Sequence, residues 1–251
     1  MLIPKSHPRA ASLHIREKLV QGYKDGLVVE EGLIAHGRGE TFDYLMGEKT
    51  SKNTFKAIKA AAASLLLAKS PVISVNGNFA ALCPKEIVHL AKTVGAKIEI
   101  NLFYTSKKRK KTISRALQKN GARKILGLDS KHYSRMIPKL DSERRIVDKR
   151  GIFSADVILV PIEDGDRTIA LKEFGKKIIT FDLNPLSRTA QAADITIVDN
   201  VIRGMKVLID VSRKMSKKKD LQRIVNRFDN KKNLAESILL IKKNLWRMAY
   251  A

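Results

Sequence analysis

A chain of 251 residues with 49 Lys and Arg against 25 Asp and Glu carries a formal net charge of +24, and its single cysteine, Cys83, excludes an internal disulfide. That length supports one large α/β domain or two small ones, with a core that needs no covalent staple. No apolar run reaches the ~20 residues that cross a bilayer, and no signal-peptide pattern is read at the start, so the expected compartment is the cytoplasm. The positive excess attracts polyanions, whether nucleic acid or phosphorylated small molecules. Much of it sits in runs at residues 107–111, 144–145, 149–150 and 217–219, each read as a solvated face.

In chain order, residues 54–69 are rich in Ala and Leu and read as a helix, followed by a short β-branched strand at 71–75. A helix at 85–94 puts Ile87, Val88, Leu90 and Ala91 on one side, and an alternating strand follows at 97–103. The next helix, 106–120, stops at Asn120 and Gly121, and a weaker strand is placed at 124–128. Apolar runs at 156–160, 177–181 and 194–198 read as strands covered on both faces. A helix at 201–211 carries Val201, Met205, Leu208 and Ile209. The tail differs: Leu221, Ile224, Val225 and Phe228, then Leu234, Ile238, Ile241, Leu245 and Met248, mark two amphipathic helices with a turn near Asp229 and Asn230. The alternation predicts a mostly parallel sheet with helices on both faces. Residues 1–215 are expected to form the main domain, and 216–251 a helical extension packed on it or on a partner subunit.

Open parallel sheets bind ligands beyond the C-terminal ends of their strands, so the residues there are the candidates. After the strand ending at Val75 come Asn76, Gly77 and Asn78, a turn whose N–H groups can converge on an anion. After Val160, Glu163, Asp164, Asp166 and Arg167 surround Gly165; one of the two aspartates is expected to cap a helix, while the other is left open between a second cap and a contact to Mg²⁺ or a ribose. After Phe181, Asp182 offers a ribose acceptor, Pro185 suits a first helical turn, and Arg188 presents a fork for phosphate one turn in. After Val198, Asp199 and Asn200 open a helix whose N-terminus can hold an anion, or they simply cap it. Upstream, residues 3–9 are basic and stiff, and residues 32–40 set His36 and Arg38 among glycines that let backbone approach a ligand. There is no Gly-x-Gly-x-x-Gly after the first strand, no Walker Gly-Lys-Ser/Thr, and no Cys/His spacing for zinc.

Taken together, residues 3–9 (Ile-Pro-Lys-Ser-His-Pro-Arg), 32–40 (Gly-Leu-Ile-Ala-His-Gly-Arg-Gly-Glu), 71–78 (Pro-Val-Ile-Ser-Val-Asn-Gly-Asn), 160–168 (Val-Pro-Ile-Glu-Asp-Gly-Asp-Arg-Thr) and 182–191 (Asp-Leu-Asn-Pro-Leu-Ser-Arg-Thr-Ala-Gln) resemble the archaeal phosphopantothenate synthetase family. The resemblance spans roughly residues 3–210; Phe79 departs from it, standing where the pattern has Thr, and the tail is outside it. It implies a Rossmann-like three-layer α/β/α core, a homodimer, and the condensation of 4-phosphopantoate with β-alanine, with ATP split to AMP and pyrophosphate and Mg²⁺ assisting. It places ATP on Arg16, Arg38, Asp182, Leu183, Asn184, Arg188, Thr189, Asn200 and Val201. Lys5, His7, Arg9, His36, Asn76, Asn78, Asp164, Asp166 and Arg167 are the substrate-binding candidates; no residue is singled out as catalytic, and no protein metal site is expected. The rival readings are a basic nucleic-acid-binding protein and another nucleotide-dependent enzyme such as a kinase. Aromatics are only 6% of the chain and do not interleave with the basic runs, which argues against a base-stacking surface.

Overall fold

Alternation along the strands sorts the core. In β1 (Val72–Val75), β2 (Lys97–Ile100), β6 (Val157–Leu159), β7 (Lys177–Phe181) and β8 (Ile195–Ile197), one set of side chains, including Ile73, Val75, Ile98, Ile100, Leu159, Ile179, Phe181 and Ile197, buries on one face. Val72, Ile158, Val160 and Ile178 bury on the other, as the two-residue period of a strand requires. In the computed structural model, which describes residues 3–4, 6–128, 132–216 and 219–250, these strands and β3 (Ile125–Leu126) form a six-stranded sheet in the order β3-β2-β1-β6-β7-β8, with every pairing parallel. Among these residues no helix is long and apolar enough to cross a membrane.

The first face is covered by helices α3 (Lys52–Leu67), α5 (Pro84–Val94), α6 (Lys107–Lys119) and α9 (Val201–Met215). Alanines make α3 thin: Ala57, Ala60, Ala61, Ala62 and Ala63 are all fully buried, so α9 and α10 (Leu221–Asn226) pack close against it. The second face departs from the expectation of helices alone. It carries α7 (Gly165–Glu173) together with an antiparallel hairpin of β4 (Ser134–Met136) and β5 (Ile146–Asp148), whose Val147 packs with Ile137, Leu140 and Ile152. These strands are three residues each and half exposed, so they leave no clear period in the sequence.

Helices α1 (Ala10–Lys24) and α2 (Glu30–Met46) precede the sheet. The glycine-rich stretch around Arg38 is therefore helical, not a loop. Its glycines sit in a helix closed at both ends by other signals: acidic Glu30 and Glu31 in the first turn and left-handed Gly47 at the C-cap. The tail forms α10 and α11 (Asn230–Ala249), the latter packing on α2, α3, β8 and α8 (Arg188–Ala192). Asn230 fixes the join: its Oδ1 accepts from the Thr196 N–H at 2.8 Å while its amide donates to the Ala190 and Ala193 carbonyls at 3.1 and 2.9 Å.

Candidate active site

Chain direction across the sheet reverses between β1 and β6, since β2 and β3 continue to one side and β7 and β8 to the other. Loops leaving two such strands separate and open a crevice at their C-terminal ends. Here the two loops are tied at one point. Asn76 ends β1 and caps the short helix α4 (Gly77–Leu82), its Oδ1 accepting from the Phe79 N–H at 2.9 Å. Its amide donates across the switch point to the carbonyls of Pro161 and Ile162 at 2.9 and 3.0 Å. Ile162 has φ 54°, left-handed for a β-branched residue, a conformation that costs about 1–3 kcal/mol and persists only when its surroundings hold it. The turn sends Glu163 into the protein, 1% exposed, and leaves the next side chain, Asp164, 56% exposed.

Beyond the strand ends lies a cavity of about 550 Å³ whose wall includes His36 and Arg38 from α2, Asn78, Glu163 and Asp164, the Asp182–Asn184 turn, Thr189, Asn200 and Val201. Burial pushes the Asp182 carboxyl up, against the opposing pull of the Ser187 hydroxyl and the Asn184 N–H, which donates to it at 2.9 Å. Asn200 caps α9, accepting from the Ile202 N–H at 3.0 Å, and its amide reaches Asp43 at 3.2 Å. Thr189 donates to the Glu163 carbonyl at 2.7 Å. Burial also holds the His36 imidazole below its ordinary value, and its Nε2 is buried with no hydrogen-bond partner.

A second cavity, about 240 Å³, adjoins the first and shares Ala35, Arg38, Asn78, Ile162 and Asp164 with it. Three guanidinium groups line it: Arg38, Arg109 and Arg144. Arg109 is fixed by donating to the carbonyls of Leu27 at 3.0 Å and Tyr104 at 2.7 Å, and burial lowers its pKa. Arg144 is buried beside Glu163 and Asp164, and burial brings its pKa down to about 10. Arg38 makes no hydrogen bond or ion pair to the described residues. Close approach explains two glycines: a Cβ on Gly77 would strike the Leu27 carbonyl and Arg109, and one on Gly32 would strike Asn78, whose amide donates to the Gly32 carbonyl at 2.7 Å. Rigid cations around a small polar cavity make a site for a compact polyanion, and a larger cavity beside it with a ribose-type acceptor suits a nucleotide.

The family model of phosphopantothenate/pantothenate synthetases matches residues 53–244. The chain belongs to this family. The 4-phosphopantoate–beta-alanine ligase of Thermococcus kodakarensis is 51% identical over 250 residues, covering 98% of this chain and 95% of that protein. Its counterpart in Methanosarcina mazei is 47% identical over 249 residues, covering 98% and 97%. The match reaches into α11, as far as residue 244, so most of the tail lies within the pattern of the synthetase family rather than outside it.

Against this synthetase framework the candidate residues divide. Arg38, His36, Asn78, Asp164, Asp182, Leu183, Asn184, Thr189, Asn200 and Val201 converge on the large cavity, and Asn76 joins the small one. Arg16 sits behind His36, bound by Nε and Nη2 to Glu40 at 2.8–3.1 Å. Arg188 is the first residue of α8, not one turn in, because Ser187 supplies the cap; its side chain meets Asp166 outside both cavities. Asp164 occupies the N-cap position of α7 without capping through its side chain. Arg167 is 1% exposed, bound to Glu163 at 2.5 Å and Ser74 at 3.2 Å, so it braces the turn from within and lines neither cavity. His7 accepts from the Arg9 N–H at 3.0 Å, and neither residue lines these cavities; Lys5 lies outside the described residues. The cations at the small cavity are ones the sequence hid inside charge runs. Arg109 comes from the 107–111 run and Arg144 from the 144–145 pair, and both point inward, as does Lys110 toward the Gly127 carbonyl at 2.8 Å. Nothing local in the sequence separates them from their solvated neighbours.

Proposed function

We propose that this protein is an ATP-dependent, AMP-forming ligase that joins 4-phosphopantoate to β-alanine, giving 4′-phosphopantothenate for coenzyme A biosynthesis. The observation that carries the reading is the pair of cavities joined at Arg38, Asn78 and Asp164, in a chain about half identical over nearly its whole length to enzymes bearing that name. ATP would occupy the larger cavity, its ribose on Asp182 and its phosphates toward Arg38 and the N-terminus of α9. Arg188 and Arg16, which the family resemblance also assigns to ATP, would reach it by leaving Asp166 and Glu40. The phosphate of 4-phosphopantoate would sit among Arg109, Arg144 and Arg38.

A carboxylate is a poor acyl donor. Its oxygen would attack the α-phosphorus, pyrophosphate would leave, and the acyl-adenylate would then be opened by the β-alanine amine with AMP departing. Both steps build charge on phosphate oxygens, which fixed guanidinium groups stabilise without reorganising. Among the described residues no three His, Cys, Asp or Glu side chains converge on one point; Mg²⁺ would accordingly arrive on the triphosphate, where it keeps most of its ligands from phosphate and water. The working form would be a homodimer, for which the outer side of α11 offers exposed Leu239, Leu245, Trp246 and Met248, and the setting would be the cytoplasm.

The test is direct. Purified protein is given ATP, 4-phosphopantoate and β-alanine, and AMP, pyrophosphate and phosphopantothenate are expected in equal amounts. Formation of ADP instead would make it a kinase or an ADP-forming ligase, and absence of turnover would leave the binding-protein reading.

A further inference from the structure

We propose that Asp164 receives the ammonium group of β-alanine at the junction of the two cavities and takes a proton from it so that the amide can form. The proposal rests on the ligase reading above. An incoming ammonium must lose a proton before its nitrogen can attack, so it needs an anionic acceptor next to the carbon attacked, and that carbon must lie where the two cavities meet.

Each other acid of these walls is committed elsewhere. Glu163 is buried between Arg144 and Arg167 and also accepts the Asp164 N–H at 2.9 Å. Asp182 holds Ser187 and the Asn184 N–H. Asp199 holds the Thr50 hydroxyl at 2.6 Å and Arg203 at 2.5 Å. Glu31 lines only the smaller cavity, where its charge raises the pKa of the Tyr104 phenol. Asp164 is the one acid that lines both cavities. Its Oδ2 meets Arg144 at 3.2 Å, while Oδ1 has no partner among the described residues. The left-handed turn at Ile162, clamped by Asn76, is what aims this carboxylate outward while Glu163 turns in.

The step balances simply. The ammonium first gives one proton to Oδ1; the freed amine nitrogen bonds to the carbonyl carbon, the bond from that carbon to the adenylate oxygen breaks, and AMP leaves with the electron pair. The nitrogen becomes acidic as it bonds to carbon, and its second surplus proton passes to the departing AMP phosphate. Activation of 4-phosphopantoate needs no ammonium and no such acceptor, so the two halves of the reaction must respond differently to loss of Asp164.

Asp164→Asn and Asp164→Ser are compared with wild type in three assays: 4-phosphopantoate-dependent exchange of pyrophosphate into ATP, hydroxamate formation with hydroxylamine, and full turnover with β-alanine. Exchange and hydroxamate formation are expected to persist, reduced far less than turnover with β-alanine, since Asp164 also holds Arg144. The kcat/KM for β-alanine should fall by about 100-fold or more, the typical contribution of a positioned proton acceptor, with partial recovery in Asp164→Glu. Loss of exchange in both variants would assign Asp164 to the nucleotide or its metal and overturn the proposal, as would an unchanged kcat/KM for β-alanine. Absence of exchange in the wild type would instead bring down the ligase reading, and the proposal with it.

Discussion

Arg38 and Glu99 show how differently two charged side chains behave when one faces a cavity and the other a core. Arg38 lies on both cavities with no partner among the described residues, so its charge is available to whatever anion enters. Arg38→Ala should leave the melting temperature unchanged and lower kcat/KM for both ATP and 4-phosphopantoate by about 2 kcal/mol or more, the usual loss for a charged donor in a site. Steady-state kinetics with each substrate varied would check this, and wild-type values would remove Arg38 from the site. Glu99 on β2 is fully buried and holds the hairpin segment to the sheet, accepting from the N–H groups of Asp148 at 2.9 Å and Ile152 at 2.6 Å. Burial raises its pKa to about 7 from 4.5, despite those two donors. A raised folded-state pKa means that the stabilisation is complete below about pH 4.5 and is lost as pH rises through about 7. The melting-temperature advantage of wild type over Glu99→Gln should therefore shrink between those pH values. A constant difference would show that the carboxyl does not titrate there.

At the scale of elements, the helical tail holds up a wall of the larger cavity. Asn230 at the start of α11 ties β8 to the end of α8 through side-chain hydrogen bonds to Thr196, Ala190 and Ala193, and Asn233 adds a donation to the Thr196 carbonyl at 2.9 Å. Helix α8 begins at Arg188 and Thr189, just after the Asp182–Asn184 turn. Removing the Asn230 amide strands buried backbone groups, each costing about 1–3 kcal/mol. Asn230→Ala should lower the melting temperature by several degrees and raise KM for ATP more than it changes kcat. A variant that melts like wild type would show that the loop stands without its clamp.

For the whole molecule, the tail and the main unit share a core: Leu234 of α11 is buried with Met46, Ala190 and Val198, and Leu221 of α10 joins the large cluster on the first face. The division into a ligase unit at 1–215 and an extension at 216–251 is therefore proposed as one of sequence order, with the extension packed home. Ending the chain after Met215 would expose Met46 and Val198 and strip α10 and α11 from α3, leaving only α9 against its alanine face. We expect lower solubility and a lower melting temperature, with turnover per folded site less affected. Light scattering beside activity normalised to folded protein decides it; a truncated chain that keeps its fold and oligomeric state yet has no turnover would give the tail a part in the chemistry.

The strands of the six-stranded sheet, their parallel arrangement and helices α3, α5, α6, α9 and α11 were legible in the sequence because burial on both faces writes continuous β-branched runs and a 3.6-residue period directly into composition; α2, interrupted by glycines, and the β4–β5 hairpin were not. The strand-end loops were legible for the same reason, since an open parallel sheet puts its ligands there whatever the sequence; Asp182, Asn200, Asn76 and Asp164 follow from that rule alone. What only the tertiary structure decided was which charges face inward. Arg109 and Arg144 look like their exposed neighbours Lys108 and Arg145, and they differ only because Leu27 and Glu163, distant in sequence, receive them. Arg167, one turn from Glu163, looked like a ligand contact and is a buried brace. A side chain's charge is local, but whether it meets solvent, a ligand or a carboxylate depends on segments far along the chain.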